Sequence, residues 1–213
     1  MGLTRTVEPA TYPVTLAEAK VQCRIEDDDA TDDSFLNAAI YAATDYVEYY
    51  LGRSIMAQTW ALKFDDFTQV AVNPLVPWGL TNTLNQVYLP RGPVSAVSSI
   101  TYYDAAGVSQ TLSTDVYEVD TSSDPQRVVL ADGQSWPTPK VMTNAVTITY
   151  TAGYSAVPKS IKQAILLIIS QWMDNRTSLA GQRQTLTPAG DITELPHTVV
   201  AMLSNHRSFA AAS

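Results

Sequence analysis

The sequence predicts an α+β chain in which a helical unit, made of a helical hairpin plus C-terminal helices, carries an inserted antiparallel β-rich module. Apolar residues recur every three or four positions in residues 15–52 and again in residues 155–207, the spacing of a helix face. Between them, in residues 55–153, the apolar period drops towards two, the spacing of a strand with one buried face. Turn residues break this middle region at short intervals, which favours an antiparallel sandwich or small barrel. The same pattern assigns residues 1–14 to an N-terminal arm, 177–193 to a flexible link and 208–213 to a tail.

Taken in order, the arm carries Pro9 and Pro13 and shows no period, so it reads as extended or mobile. Thr15 opens a helix running to about Ile25. Thr15 and Glu18 have capping-box spacing, and Leu16, Ala19 and Cys23 share one side. Residues 26–33, EDDDATDD, form an acidic turn whose last carboxylates favour the dipole of the next helix. That helix spans about Asp32 to Leu51, with Leu36, Ala39, Ile40, Ala43, Val47, Tyr50 and Leu51 in helical register and Gly52 placed to end it.

In the middle region Trp60, Leu62 and Phe64 alternate with Ala61 and Lys63 as a half-buried strand. Asn73 to Asn85, with Pro74, Pro77 and Gly79, reads as a loop. Further strands are predicted at Gln86–Leu89, Val97–Tyr103, Val108–Leu112, Val116–Val119, Arg127–Leu130 and Ala145–Thr151, with Asp104–Gly107 as a hairpin turn. The chain returns to helix at Pro158–Arg176, its most apolar long segment. Ile161, Ala164, Ile165, Ile168 and Trp172 form one stripe, and Leu166, Ile169 and Met173 a second. Two stripes suggest a helix covered on both flanks, one by its own domain and the other by something else, either the β module or a neighbouring subunit. A last helix starts at Pro196, with Leu195, Val199, Met202, Leu203 and His206 as its stripe.

At 213 residues and 46% apolar composition the chain can build a sizeable core. Its 13 basic and 21 acidic residues leave a formal charge of −8, which argues against a protein whose task is to neutralise nucleic-acid phosphates. Cys23 is the single cysteine; no intrachain disulfide or thiolate metal cluster follows from it, and it reads as a small buried helix residue. The first residues lack the apolar core of a signal peptide, and no run spans a bilayer.

Catalytic patterns are sparse. An EF-hand loop from Asp27 would need glycine and glutamate where Asp32 and Ala38 stand, so the acidic turn reads as a solvated hairpin. His197 and His206 lie nine apart and cannot face each other as a helical metal pair. Phosphate-cradling glycine loops, a nucleophile elbow and zincin motifs are missing from the sequence. No enzyme, cofactor, catalytic residue or metal ligand is therefore predicted. Trp78 and Trp136, each beside a proline, are surface candidates for stacking on sugars, so a carbohydrate-binding β module with helical flanks is one alternative. Lys159 and Lys162 stand in the first turn of their helix, where the dipole disfavours a cation by about 0.3–1 kcal/mol. Either they are solvated on a helix stabilised by its apolar faces, or they meet carboxylates of their own hairpin or of the acidic turn of a neighbouring copy.

Three stretches resemble the head-tail connector (adaptor) proteins of long-tailed bacteriophages and related gene-transfer particles. They are Pro13 to Trp60, with its LAEAK helix, acidic turn, alanine-rich helix and terminating GR; the hairpin SSITYYDAAG; and YTAGYSAVPKSIKQAILLIISQWMDNR. The resemblance implies a non-enzymatic ring protein, typically dodecameric, in the virion at the head-tail interface and made in the bacterial host cytoplasm. Its partners would be the portal protein and a stopper or tail-completion protein, with DNA passing through the lumen unbound and no membrane involved. A tail-completion ring protein is a second alternative. The subunit-interface candidates are Leu166, Ile169, Met173, Lys159, Lys162, Asp28 and Asp29. The portal-contact candidates are Leu195, Val199, Met202, Leu203, Arg207 and Phe209.

Overall fold

Among the described residues, four α-helices and eight strands build two compact units. The structure is a computed structural model that describes residues 1–67, 85–179 and 197–208, and of 175–179 the backbone alone. Outside these residues lie most of the predicted loop at Asn73–Asn85, including Trp78, most of the link, and Leu195, Pro196 and Phe209.

One unit comprises Met1–Ala10 and Gly52–Ser155, with Ser208. Its larger sheet is antiparallel and five-stranded, in the order β1 (Gly2–Val7), β2 (Gln58–Phe64), β8 (Val146–Ala152), β4 (Val94–Tyr103) and β5 (Ser109–Thr111). A three-stranded sheet holds β3 (Gln86–Tyr88), β7 (Arg127–Leu130) and β6 (Tyr117–Asp120) in that order. In β8, Val146, Ile148, Tyr150 and Ala152 are buried while the threonines between them are not. This is the alternation that a sheet with one covered face imposes. These residues share a core with Trp60, Leu62, Phe64, Ile100 and, from the smaller sheet, Val87, Val128 and Tyr117. Polar groups drawn into that core are paired: the Trp60 indole N–H donates to Ser54 Oγ at 2.9 Å, and the Tyr150 hydroxyl donates to the Pro90 carbonyl at 2.7 Å. Desolvation raises the Tyr150 phenol far above its ordinary range.

The β4–β5 turn follows from Asp104. Its side-chain Oδ1 accepts the Val108 N–H at 2.9 Å, its carbonyl accepts the Gly107 N–H at 2.8 Å, and Gly107 takes the positive φ of 83°.

The N-terminal reading needs correction. Residues 2–7 are not a free arm but the edge strand of the larger sheet, paired antiparallel with β2 from Gly2 opposite Lys63 to Val7 opposite Thr59. Arg5 anchors it: its guanidinium donates to Gln58 Oε1 at 3.2 Å, pairs with Glu8 at 3.0 Å and lies 5.9 Å from the Trp60 ring centroid. Because Met1–Ala10 belongs with the β unit, that unit is discontinuous as well and is not a plain insertion between helices.

The other unit comprises Thr11–Leu51 and Ala156–Arg207. It contains α1 (Leu16–Cys23), α2 (Asp33–Leu51), α3 (Lys159–Leu179) and α4 (His197–Ser204). The capping box at Thr15 is present: the Glu18 N–H donates to Thr15 Oγ1 at 3.2 Å, and Glu18 Oε2 accepts the Thr15 N–H at 2.8 Å. Arg24 ends α1 in the left-handed region at φ 58°, two residues before the predicted end, with the Ile25 N–H closing on the Lys20 carbonyl at 3.0 Å. α3 runs three residues past the predicted Arg176.

Gly153 supplies a stability test within the β unit. Its φ is 144°, and a Cβ there would collide with the backbone of Met56 and Ala57, whereas Gly133 at φ 71° faces open space. Gly153→Ala is expected to lower the unfolding free energy by about 2–4 kcal/mol, and Gly133→Ala by about 1 kcal/mol, in urea titrations.

Candidate assembly surface

In the helical unit α3 is the central element: α1, α2 and α4 all pack on it. Ile161, Ala164, Ile165 and Ile168 are buried, and so is Ile169 at 0% exposure. Ile169 is thus a core residue of its own chain and not a subunit contact. The helix is covered on its second flank because three helices of the same chain pack on it. Leu166 and Met173 remain half-buried, Lys162 is half-buried and Lys159 is exposed. Lys162 finds its carboxylate inside the chain, with Nζ 3.5 Å from Glu18 Oε1. Glu18 therefore serves three partners: the Thr15 backbone, the Thr15 hydroxyl and Lys162. The Thr15 hydrogen bond, with help from Lys162, holds its carboxyl below the usual glutamate range.

The acidic turn is built around a cation that the sequence reading passed over. Lys20, only 5% exposed, directs its ammonium into the loop between α1 and α2. Nζ donates to the Asp27 carbonyl at 3.1 Å and the Asp29 carbonyl at 2.9 Å, and lies 2.7 Å from Asp33 Oδ1. Two of the ammonium's donors are hydrogen-bonded to carbonyls, and Asp33 supplies the opposite charge as an ion pair. Two of the turn's acidic residues thus contribute backbone oxygens, and their carboxylates are left to the surface. Asp28 and Asp29 are exposed. Asp29 Oδ1 accepts the Thr31 N–H at 2.9 Å, and hydrogen bonding to Thr31 lowers its carboxyl.

At the C-terminal end, Val199 and Leu203 are fully buried in the helical unit. Neither is a surface contact for a partner. Their burial follows from α4 packing on α3, which turns its apolar stripe inward. Met202 is half-buried and Arg207 exposed, its guanidinium 5.3 Å from the Tyr50 ring centroid. His206 lies in the turn after α4 and not on the helix. Its Nε2 is 2.8 Å from Ser160 Oγ.

One surface carried no signal in the stripe analysis. On the side of α2 opposite its buried residues, Tyr41, Tyr46 and Tyr49 are exposed, alongside Ala38, Ala42 and Asp45. Tyr12 joins them edge-on to Tyr41, with ring centroids 5.8 Å apart. In the β unit Trp136, expected at the surface, is half-buried and stacked on Phe67 at 4.7 Å, so one ring face is already covered.

The sequence matches the family described as head completion protein over residues 14–209. The chain belongs to the head completion protein family. Membership places it among the structural proteins that complete a phage-like head. No curated protein matches the sequence. Among solved structures, this head completion protein is similar to a chain in the neck of an empty gene transfer agent particle computed with C6 symmetry. The TM-score is 0.69 at 21% identity, covering 98% of this chain and 96% of that one. A chain in the neck of the native particle computed with C12 symmetry has a TM-score of 0.64 at 21% identity, with the same coverage. A third, in the virion of the native particle, has a TM-score of 0.69 at 20% identity over the same shares. The whole chain, both units included, thus shares its fold with those proteins.

Two measurements check the helical unit. Lys20→Met leaves Asp33 and two turn carbonyls without their donor and is expected to destabilise by about 3 kcal/mol, whereas Lys162→Met, at an exposed pair, changes stability by less than about 1 kcal/mol. The lowered Glu18 carboxyl implies stabilisation that is present above its unfolded-chain value and is lost as pH falls through the folded value. The protection factor of the Thr15 amide, its exchange rate corrected for the intrinsic pH dependence, should fall over that acid range, and Glu18→Gln should flatten this dependence.

Proposed function

We propose that this chain is a non-enzymatic head-tail connector of a tailed-phage-like particle, forming a ring that docks on the portal and joins it to the stopper or tail while DNA passes through. The observation that carries the reading is the family match over residues 14–209, joined to a fold shared along nearly the whole chain with proteins of a particle neck. The symmetries in those neck structures, C6 and C12, support a ring. The protein would act in the virion after synthesis in the host cytoplasm. A ring of acidic chains presents little attraction to phosphates, which suits a channel through which DNA slides.

A closed ring uses a heterologous interface, with two different surfaces of each chain. For one side we assign the outer stripe of α3, with Lys159, Leu166 and Met173, all of which keep exposed area. Asp28 and Asp29 offer carboxylates that a neighbour's Lys159 could meet. Met202 and Arg207 are the described residues of the C-terminal region that keep exposed area for a portal contact.

Native mass spectrometry of the chain with and without its portal protein tests the reading. Portal-dependent rings are expected, and Lys159→Glu should reduce ring occupancy while leaving the thermal unfolding curve in place. A monomer indifferent to the portal would overturn it.

A further inference from the structure

Among the described residues, the tyrosine face of α2 meets Tyr12, which lies edge-on to Tyr41. α2 buries Leu36, Ala39, Ile40, Ala43, Val47 and Leu51 on one side, and Ala38, Tyr41, Ala42, Asp45 and Tyr49 lie around the opposite side with Tyr46 at its border. From position 38 to position 49 the face runs along roughly 16 Å of helix. Tyr49 is 77% exposed, Tyr41 46%, Tyr12 40% and Tyr46 37%. Tyrosine combines a large apolar ring with a hydroxyl that tolerates water and is enriched where proteins meet. Alanines at 38 and 42 leave room for another surface to approach the helix between the rings. A nucleic acid would require cations here, and the charge on this face is the single carboxylate of Asp45.

We infer that this face is the second side of the ring interface, and that its occupant is the next copy of this chain. The inference rests on the connector reading above, under which identical neighbours stand at fixed rotation around one axis. Rotational closure forbids a surface from meeting itself when more than two copies surround the axis, so the tyrosines must contact a surface other than α2. The outer stripe of α3 is that surface.

Area sets how strong the contact is. The exposed fractions of the four tyrosines add to about two whole side chains, on the order of 300–500 Å². One side of a standard stable interface uses about 800 Å². The tyrosine face therefore supplies roughly half of what a ring stable by itself would need, and assembly is expected to depend on the portal as a template.

The test uses the full chain assembled on its portal. A photo-reactive benzoylphenylalanine in place of Tyr49 should yield a covalent ladder of this chain on illumination, with the crosslinked peptide of the second copy outside Asp33–Leu51. The double variant Tyr41→Arg/Tyr49→Arg should keep the circular dichroism and melting curve of the parent and lose at least tenfold in ring occupancy. Rings that form normally but crosslink only to portal or tail proteins, or to α2 of another copy, would overturn the inference and leave the connector reading intact. Failure of the parent chain to form rings on the portal would overturn both.

Discussion

The helical unit is organised around an ammonium ion that has almost no contact with water. Removing Lys20 from solvent is unfavourable unless each of its three donors is satisfied. The loop after α1 offsets that cost by turning the carbonyls of Asp27 and Asp29 inward as hydrogen-bond acceptors and placing the carboxylate of Asp33 beside the ammonium as its counter-charge. That requirement sets where α2 can begin, because Asp33 is its first residue. The start of α2 relative to α1 in turn shapes the surface on which α3 lies, since both helices pack on it. A run of acids that looks like a place for a metal is thus occupied by the chain's own cation, and charge balance is reached with one carboxylate out of many.

With α3 enclosed by α1, α2 and α4, the apolar character of its sequence is explained largely within one chain. Under the proposed connector role, what remains for assembly is a half-buried stripe on α3 and an aromatic face on α2. Both are modest in area. Interfaces of this kind suit a protein that must stay soluble by itself and become ordered into a larger assembly at one place, since weak contacts become sufficient once a template fixes the copies side by side.

Much of the fold was legible because its local rules agree with its tertiary packing. Thr15 and Glu18 form the capping box that their spacing announced, β7 occupies the residues predicted for it, and Asp104 makes the hairpin turn its side chain favours. The misses have physical causes. β1 has only Leu3 and Arg5 half-buried, too little contrast for a period-two signal, and its pairing is fixed by β2 more than fifty residues away. Lys20 gives no sequence sign that it is buried, because its compensation comes mainly from backbone oxygens. Val199 and Leu203 show helical spacing correctly, but spacing cannot distinguish a stripe that packs inward from one offered to a partner. The tyrosines of α2 escaped notice because a search for aliphatic stripes scores the buried side of that helix.

The interleaving of the two units has a consequence for how the chain is born. β1 precedes its partner β2 by some fifty residues, and β2 in turn waits for β8 near residue 150. The helical hairpin is complete early but has no α3 to lie on until the β unit has been synthesised, and α4 is needed to close that helix in. Each unit therefore waits for segments made long after its first element, and most of its closing contacts are long-range. A chain arranged in this way presents no finished surface until its distant segments have met.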